Sequence, residues 1–117
     1  MPASAKTRQS RKAQTPIPKR IREVRTALGL SQSELGHALK LDRDVAIQRV
    51  SQYELGTHTP VYSLIQRLAA FTKIPESYFY TTDDELAQLI ADFGRLNQAA
   101  RRKLLKVSAE LRDESVT

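Results

Sequence analysis

A glycine followed closely by a helix-capping pair is the feature that most constrains this chain. In "LGLSQSEL", Gly29 comes just before Ser31, and Glu34 stands three residues after that serine. The serine and glutamate side chains can each accept a hydrogen bond from a backbone N–H group at a helix start. Glycine ends helices readily because it adopts a positive φ without strain. The stretch predicts that one helix ends near Gly29 and another begins at Ser31, joined by a turn of two to three residues.

Apolar residues on both sides of this turn recur at helical spacing. Ile21, Val24 and Leu28 predict the first helix, with Pro18 tolerated in its first turn. After the capping pair, Leu35, Ala38 and Leu39 give the second helix its apolar face. Two short helices joined by a tight turn are therefore predicted.

A third helix is predicted to end at Gly56, because Ala46, Val50 and Tyr53 fall on one face of the segment before that glycine. Its start has two interpretations. Asp42 can cap a longer helix, or the residues before Ala46 form an extended turn and the helix begins near that alanine. The opposite face of this helix is polar.

The second half of the chain continues the helical pattern. A fourth helix is predicted from Leu64, Leu68 and Phe71, and a short element with an aromatic cluster follows Pro75. A second capping box, Thr82 with Glu85, predicts another helix start. Two further apolar stripes follow, separated by Gly94 and by Asn97 as a cap: Leu86, Leu89, Ile90 and Phe93, then Ala100, Leu104, Val107 and Leu111. No segment alternates like a strand, so the chain is predicted to be all-α.

Composition excludes several classes of protein. The absence of cysteine removes disulfides and thiolate metal sites. Neither a signal peptide nor a membrane-spanning run is recognisable, so we expect a cytoplasmic protein with no membrane partner. His37 and His58 are isolated, and no phosphate-binding glycine loop or nucleophile elbow occurs. We therefore expect no enzymatic activity, no cofactor and no metal.

The net charge of +6 is concentrated at the N-terminus. Residues 1–20 contain six basic residues and no acid, whereas residues 21–117 contain 13 of each sign. A basic segment poor in apolar residues does not pack into a core, and such arms often contact polyanions. We expect a flexible basic arm over residues 1–16, a folded domain over 17–80 and a helical extension over 81–117.

The paired motifs "GLSQSEL" and "VSQYELGTHTP" resemble those of the XRE-type, lambda-repressor-like DNA-binding domains. The resemblance spans about residues 18–80 and implies a five-helix DNA-binding domain with a helix-turn-helix, followed here by a C-terminal helical extension. The segment between Leu39 and Val50 is longer than the common family pattern, which loosens the alignment before Val50. The resemblance also implies double-stranded DNA as the partner.

The resemblance assigns positions for DNA contact. Gln32 matches the residue that grips a phosphate at the start of the second helix. Gln48, Arg49 and Gln52 lie on the predicted outer face of the third helix, where glutamine can pair with adenine and arginine with guanine. The remaining predicted contacts are Ala46 and Ile47 to thymine methyl groups, Ser51 to a base or phosphate, and His58 to a phosphate. Glu54 is expected to pair with Arg25 as a brace between helices.

We interpret the chain as a sequence-specific transcriptional regulator. By resemblance it is a repressor, and the two apolar stripes of the extension predict a homodimer that binds a palindromic operator. The alternative is an antitoxin-type module whose C-terminal helices mask a second protein. A third arrangement, in which both stripes fold back onto the monomer, would need neither partner.

Overall fold

The structure is a computed structural model that describes residues 15–116. It contains α1 (Ile17–Ala27), α2 (Gln32–Ala38), α3 (Ala46–Leu55), α4 (Tyr62–Thr72), a 3-10 helix (Glu76–Tyr80), α5 (Asp84–Arg95) and α6 (Gln98–Val116). None of the described residues lies in a strand, and the predicted all-α fold is confirmed. The predicted basic arm, residues 1–16, lies almost wholly outside the described range.

The turn between α1 and α2 forms as the sequence predicts. Gly29 has a φ of +70°. The Ser31 hydroxyl accepts a hydrogen bond from the Glu34 backbone N–H at 3.0 Å, and the Glu34 carboxylate accepts one from the Ser31 N–H at 2.8 Å. These bonds to Ser31 also lower the pKa of Glu34, because the backbone and side chain of the serine favour the charged carboxylate. The start of α2 is thus fixed by local chemistry alone.

The structure selects the second interpretation for the start of α3. The residues before Ala46 form a turn, in which the Val45 N–H donates to the Asp42 carbonyl at 3.1 Å. Asp42 therefore does not cap α3, whose N-cap residue is Val45 with no side-chain cap bond. At the other end Gly56 adopts a φ of +80° and ends the helix.

One apolar core connects all the helices except α6. Its members are Ile17, Ile21, Val24, Leu35, Leu39, Val50, Tyr53, Leu64, Ile65, Leu68, Ile74, Tyr78, Phe79, Ala87 and Ala91. The aromatic cluster enters it through Tyr78 and Phe79, whose rings meet edge to face with centroids 5.1 Å apart. Two predicted core residues, Leu28 and Phe71, are instead partly exposed. Leu28 is the C-cap residue of α1, and Phe71 lies one residue before the end of α4.

A buried arginine joins the C-terminal extension to α1. The side chain of Arg20 is only 2% exposed, and its guanidinium donates to the carbonyl oxygens of Thr81 and Thr82 at 2.8–3.2 Å. The same group donates to Glu23 at 2.9 Å, contacts Asp84 at 3.0 Å and lies over the Tyr78 ring. Arg20 therefore ties the junction between the 3-10 helix and α5 to α1, and Lys19 adds an exposed ion pair to Asp84 at 2.9 Å.

The predicted capping box at Thr82 is wrong. The N-cap of α5 is Asp83, whose carboxylate accepts hydrogen bonds from the Glu85 and Leu86 N–H groups at 2.9 and 3.1 Å. Thr82 contributes its carbonyl to Arg20 instead. The helix consequently begins one residue later than the capping box predicts.

The face that α5 buries most deeply is not the predicted apolar stripe, of which Ile90 packs partly buried against the core. Ala87 and Ala91 pack into the core, whereas Leu86 and Leu89 remain about half exposed. Together with Ile90 and Phe93 they form one wall of an open apolar groove, and Leu104 and Leu105 of α6 form the other. Small side chains let α5 approach the core closely, which leaves its larger apolar side chains for this groove.

Candidate nucleic-acid interface

Helices α2 and α3 pack against each other at one very close contact. A Cβ atom added to Gly36 would lie 2.7 Å from the Cβ of Ala46, so only glycine fits at residue 36. Ala46, Val50 and Tyr53 form the buried face of α3. The opposite face of α3 is consequently turned outward along the whole helix.

This outward face holds most of the residues predicted to read bases. Ile47, Gln48 and Arg49 are exposed, and Ser51 and Gln52 are half-buried. The face offers amide, hydroxyl, guanidinium and apolar groups, which together can pair with base edges and contact thymine methyls. Over the described length of α3 the single carboxylate is that of Glu54, whose side chain is buried. No acid on this helix therefore repels phosphates from the reading face.

Ala46 must be removed from the predicted base contacts. It is 5% exposed and packs against Gly36, so its methyl group cannot reach a base. The helical spacing of Ala46 with Val50 and Tyr53 already placed it on the buried face. Being next to the exposed Ile47 at the start of α3 does not bring Ala46 within reach of DNA.

Arg25, Glu54 and Gln32 meet in one hydrogen-bonded group. The Arg25 guanidinium donates to both carboxylate oxygens of Glu54, at 2.5 and 3.0 Å, and to the Leu30 carbonyl at 2.9 Å. Gln32 adds a third donor, because its Nε2 lies 3.2 Å from Glu54 Oε1. The side chains of Arg25 and Glu54 are 14% and 4% exposed. The hydrogen bonds that Arg25 donates to the Glu54 carboxylate raise the pKa of Arg25. Three helices are thus linked through one carboxylate.

The Gln32 side chain keeps one amide N–H that is not used in the bond to Glu54. A side-chain amide nitrogen carries two N–H groups, and the bond to Glu54 uses one of them. Gln32 is half-buried at the first residue of α2. The second N–H can therefore donate to a phosphate while the first keeps the side chain in place.

The loop after α3 is folded back onto that helix. The N–H groups of Thr57 and His58 both donate to the Gln52 carbonyl, at 3.0 and 3.3 Å, and the Thr57 hydroxyl donates to the same oxygen. The His58 side chain is exposed. The loop thus presents His58 at the C-terminal end of the reading helix, close to Gln52 in the fold.

Three residues near this surface were not among the predicted contacts. Lys40 and Arg43 are exposed in the segment between α2 and α3, where they add positive charge beside Asp42 and Asp44. Leu55 is 72% exposed at the last position of α3. Its signal was present in the sequence, since Leu55 falls on the same helical face as Gln48 and Ser51. Lys40 and Arg43 carry no such signal, because Asp42 and Asp44 balance their charge in the sequence.

The model of the helix-turn-helix family, of XRE type, matches residues 21–79. This is half of the chain, and it contains the close α2–α3 pair and the exposed face of α3. The chain belongs to the XRE-type family of helix-turn-helix transcriptional regulators. The predicted lambda-repressor-like fold is thereby confirmed.

Two curated relatives carry the same motif. Uncharacterized HTH-type transcriptional regulators of Sinorhizobium medicae (strain WSM419) and Rhizobium meliloti (strain 1021) are each 36% identical over 61 residues. The match covers 52% of this chain and 41% of each relative. This XRE-type chain therefore spans about two fifths of the length of the curated relatives it matches.

A solved structure extends the similarity beyond the motif. The crystal structure of the transcriptional regulator BswR matches with a TM-score of 0.75 and 30% identity, over 80% of this chain and 93% of that one. Residues 1–80 alone are too few to supply such coverage, so the match includes part of the C-terminal helices.

The remainder of the described chain adds two findings. No helix in residues 15–116 is both long enough and apolar enough to cross a membrane. Within the same residues, no group of three or more His, Asp or Glu side chains is arranged to hold a metal ion.

Proposed function

We propose that this XRE-type protein is a dimeric repressor that binds a palindromic operator in a sequence-specific manner. The supporting observation is the outward face of α3, where reading groups are exposed and the one acid is buried. A helix of this length fits the major groove with its outer face toward the base edges. Repression then follows most simply from occupying a promoter and excluding polymerase.

The base-reading residues divide by chemistry. Gln48 and Gln52 offer amides for adenine, and Arg49 offers a guanidinium for guanine. Ile47 replaces Ala46 as the contact for thymine methyl groups, and Ser51 donates to a base or phosphate. Of these side chains, Gln48 lies nearest the centre of the exposed face, so we assign it the strongest base preference.

Phosphate contacts fix the position of α3 on the duplex. Gln32 donates its second N–H to one phosphate, while its first N–H remains bonded to Glu54. His58 contacts another phosphate from the loop after α3. The basic residues 1–16 add sequence-independent attraction to the DNA backbone, which weakens as salt rises.

The brace of Arg25 and Glu54 has a structural role in this proposal. It ties α1 to the end of α3, and Gln32 joins α2 to the same carboxylate. The phosphate contact and the reading helix are thereby held in one fixed relation. Such fixed positioning favours specific binding because little ordering remains to be done when DNA is bound.

Dimerisation is supported by the open groove between α5 and α6. Leu86, Leu89 and Leu105 are each about half exposed or more, which is unusual for large apolar side chains grouped on one face. A second copy that covers this side of the molecule would give a two-fold dimer. Its two α3 helices would then meet half-sites about one helical turn, 34–36 Å, apart.

The test is selection of bound duplexes from a randomised DNA library at two salt concentrations. Base readout persists as salt rises, whereas phosphate binding alone falls steeply. Enrichment of an inverted repeat at both concentrations supports the proposal. Loss of all enrichment at the higher salt would contradict specific binding, and enrichment of an unrepeated half-site would contradict the dimer alone.

Single substitutions locate the reading residues. Gln48→Ala should relax base preference at one position of each half-site by about 1–3 kcal/mol, because a bidentate pair to a base is lost. Gln32→Ala should weaken binding to all sequences alike. Gln88→Ala on α5, where the amide bonds to Asp92, is the matched control and should change neither. An unchanged selected motif for Gln48→Ala would place that residue outside the reading face.

The second candidate function is an antitoxin-type module. The same groove favours it, because an apolar helix of another protein could occupy the space between Leu89 and Leu105. The two candidate functions predict different oligomeric states for the purified chain. A repressor dimer forms without any other protein, whereas a partner-binding module stays monomeric until its partner is added.

A further inference from the structure

The C-terminal helix α6 is attached to the rest of the molecule at its first turns. The Asn97 side chain accepts a hydrogen bond from the Ala100 N–H at 2.8 Å. The Arg101 guanidinium donates to the carbonyls of Phe93 and Gly94 at 3.0 and 3.1 Å and lies over the Phe93 ring. None of the 19 residues of α6 is buried. A helix of this length gains little stability unless an apolar face is covered.

The apolar stripe of α6 has the spacing of a coiled-coil seam. Ala100, Leu104, Val107 and Leu111 follow one another at intervals of four, three and four residues. Val107 and Leu111 are 47% and 56% exposed. Alternating intervals of three and four keep a stripe facing a second helix, with the residues at alternate a and d positions of a heptad. The stripe therefore fits a helix of the same kind as its partner.

The heptad positions place two opposite charges beside the stripe. With Leu104 and Leu111 at a positions, Lys103 and Glu110 occupy the two g positions, and both side chains are exposed. Of the e positions of α6, those that follow Leu104 and Leu111 are Ser108 and Ser115, which carry no charge. The earlier e position is Arg101, whose guanidinium is bonded to the carbonyls of Phe93 and Gly94. One edge of the seam is therefore basic in its first half and acidic in its second.

These charges distinguish the two orientations of a helix pair. In a parallel pair a g residue meets the e residue of the next heptad, so Lys103 and Glu110 would face only serines. In an antiparallel pair g positions face g positions, and the first g position of one helix lies beside the second g position of the other. Each lysine then meets a glutamate, and the two-fold axis repeats the contact.

We propose that α6 of two copies pair in antiparallel orientation, with Lys103 of each copy beside Glu110 of the partner subunit. This inference rests on the proposed dimer and places its contact along α6, where Leu104 belongs both to the stripe and to the groove. The axis crosses α6 between Leu104 and Val107, so the apolar stripes cover each other over their whole length. The two α6 helices then form the centre of the dimer, and the two reading helices lie outside it.

The test measures the dimer dissociation constant of the full chain by sedimentation equilibrium, without DNA. Lys103→Glu and Glu110→Lys should each raise that constant about 10- to 30-fold, since two exposed ion pairs per dimer become repulsive contacts. The combined Lys103→Glu/Glu110→Lys chain should return close to the wild-type value, because each contact regains opposite charges. Circular dichroism verifies that each variant retains its helix content. Lys103→Gln and Glu110→Gln, which remove a charge without reversing it, should raise the dimer dissociation constant by less.

Matched controls lie on the outer side of the same helix. Lys106→Glu and Asp113→Lys make the same kinds of charge reversal away from the stripe, and they should leave the constant unchanged. Single reversals that behave like these controls would overturn the inference while leaving the proposed dimer intact. A combined chain that stays as weak as the single variants would also overturn it. A monomeric wild type would overturn both the pairing and the dimer, and library selection would then show whether DNA reading stands alone.

Discussion

Removal of Arg25 should destabilise this XRE-type protein far more than removal of the whole ion pair. Arg25→Met leaves the Glu54 carboxylate, 4% exposed, with Gln32 as its remaining side-chain donor. The same substitution removes the 2.9 Å hydrogen bond that the Arg25 guanidinium donates to the Leu30 carbonyl. Breaking a buried pair from one side costs about 3–5 kcal/mol, because the other charge stays buried and uncompensated.

The double variant provides the contrast. In Arg25→Met/Glu54→Met both charges are absent, and replacing a buried ion pair by apolar groups is often close to neutral. We therefore expect the double variant to be more stable than Arg25→Met, by about 2 kcal/mol or more. A total stability of about 5–15 kcal/mol is usual for a domain, so the single variant should be visibly weakened at room temperature.

Urea unfolding followed by circular dichroism measures both effects. The midpoint of unfolding should be lowest for Arg25→Met, with the double variant closer to the wild type. A cost below about 1 kcal/mol for Arg25→Met, or equal costs for the single and double variants, would refute the buried brace.

Two further substitutions test contacts that position the helices. Gly36→Ala should lower the free energy of unfolding by about 1–3 kcal/mol, because the added methyl group would overlap Ala46. Ser33→Ala, on the exposed side of α2, is the control. An unchanged thermal midpoint for Gly36→Ala would contradict the close approach of α2 and α3. Asp84→Asn should flatten the acid side of the stability profile. Hydrogen bonds from Lys19 and then Arg20 lower the pKa of Asp84, so its stabilisation is present above the unfolded-state pKa and is lost as the pH falls through the folded-state value. Thermal melts from about pH 7 down to about pH 3 measure this, and identical profiles for the two chains would oppose it.

Features fixed by neighbouring residues could be predicted from the sequence. The capping box of α2 involves side chains and backbone groups three residues apart, and the stop of α3 needs only the freedom of Gly56 to take a positive φ. The face of α3 that holds Gln48 follows from the helical period in the same way. These features need no knowledge of what the helix packs against.

Features fixed by distant residues could not be predicted. Thr82 and Glu85 satisfy the capping pattern, yet Arg20, more than sixty residues earlier, holds the Thr82 carbonyl and Asp83 caps the helix. The apolar side chains of α5 satisfy a core pattern, yet the residues of α5 that the core buries fully are Ala87 and Ala91, with Ile90 packed partly buried against it. In α3, the exposed Ile47 follows Ala46 in the sequence, but Ala46 itself packs against Gly36 of α2. In each case the deciding atom belongs to another element.

The attachment of Arg20 to backbone carbonyls has a consequence for how this protein can diverge. The oxygens that it holds belong to the main chain of residues 81 and 82, and every amino acid supplies such an oxygen. The threonines can therefore be replaced over evolutionary time without loosening the junction. Only the arginine is irreplaceable, since lysine lacks the fork that reaches both carbonyls. In a set of aligned descendants, the junction would be visible as a single invariant column within α1, far from the residues that it holds in place.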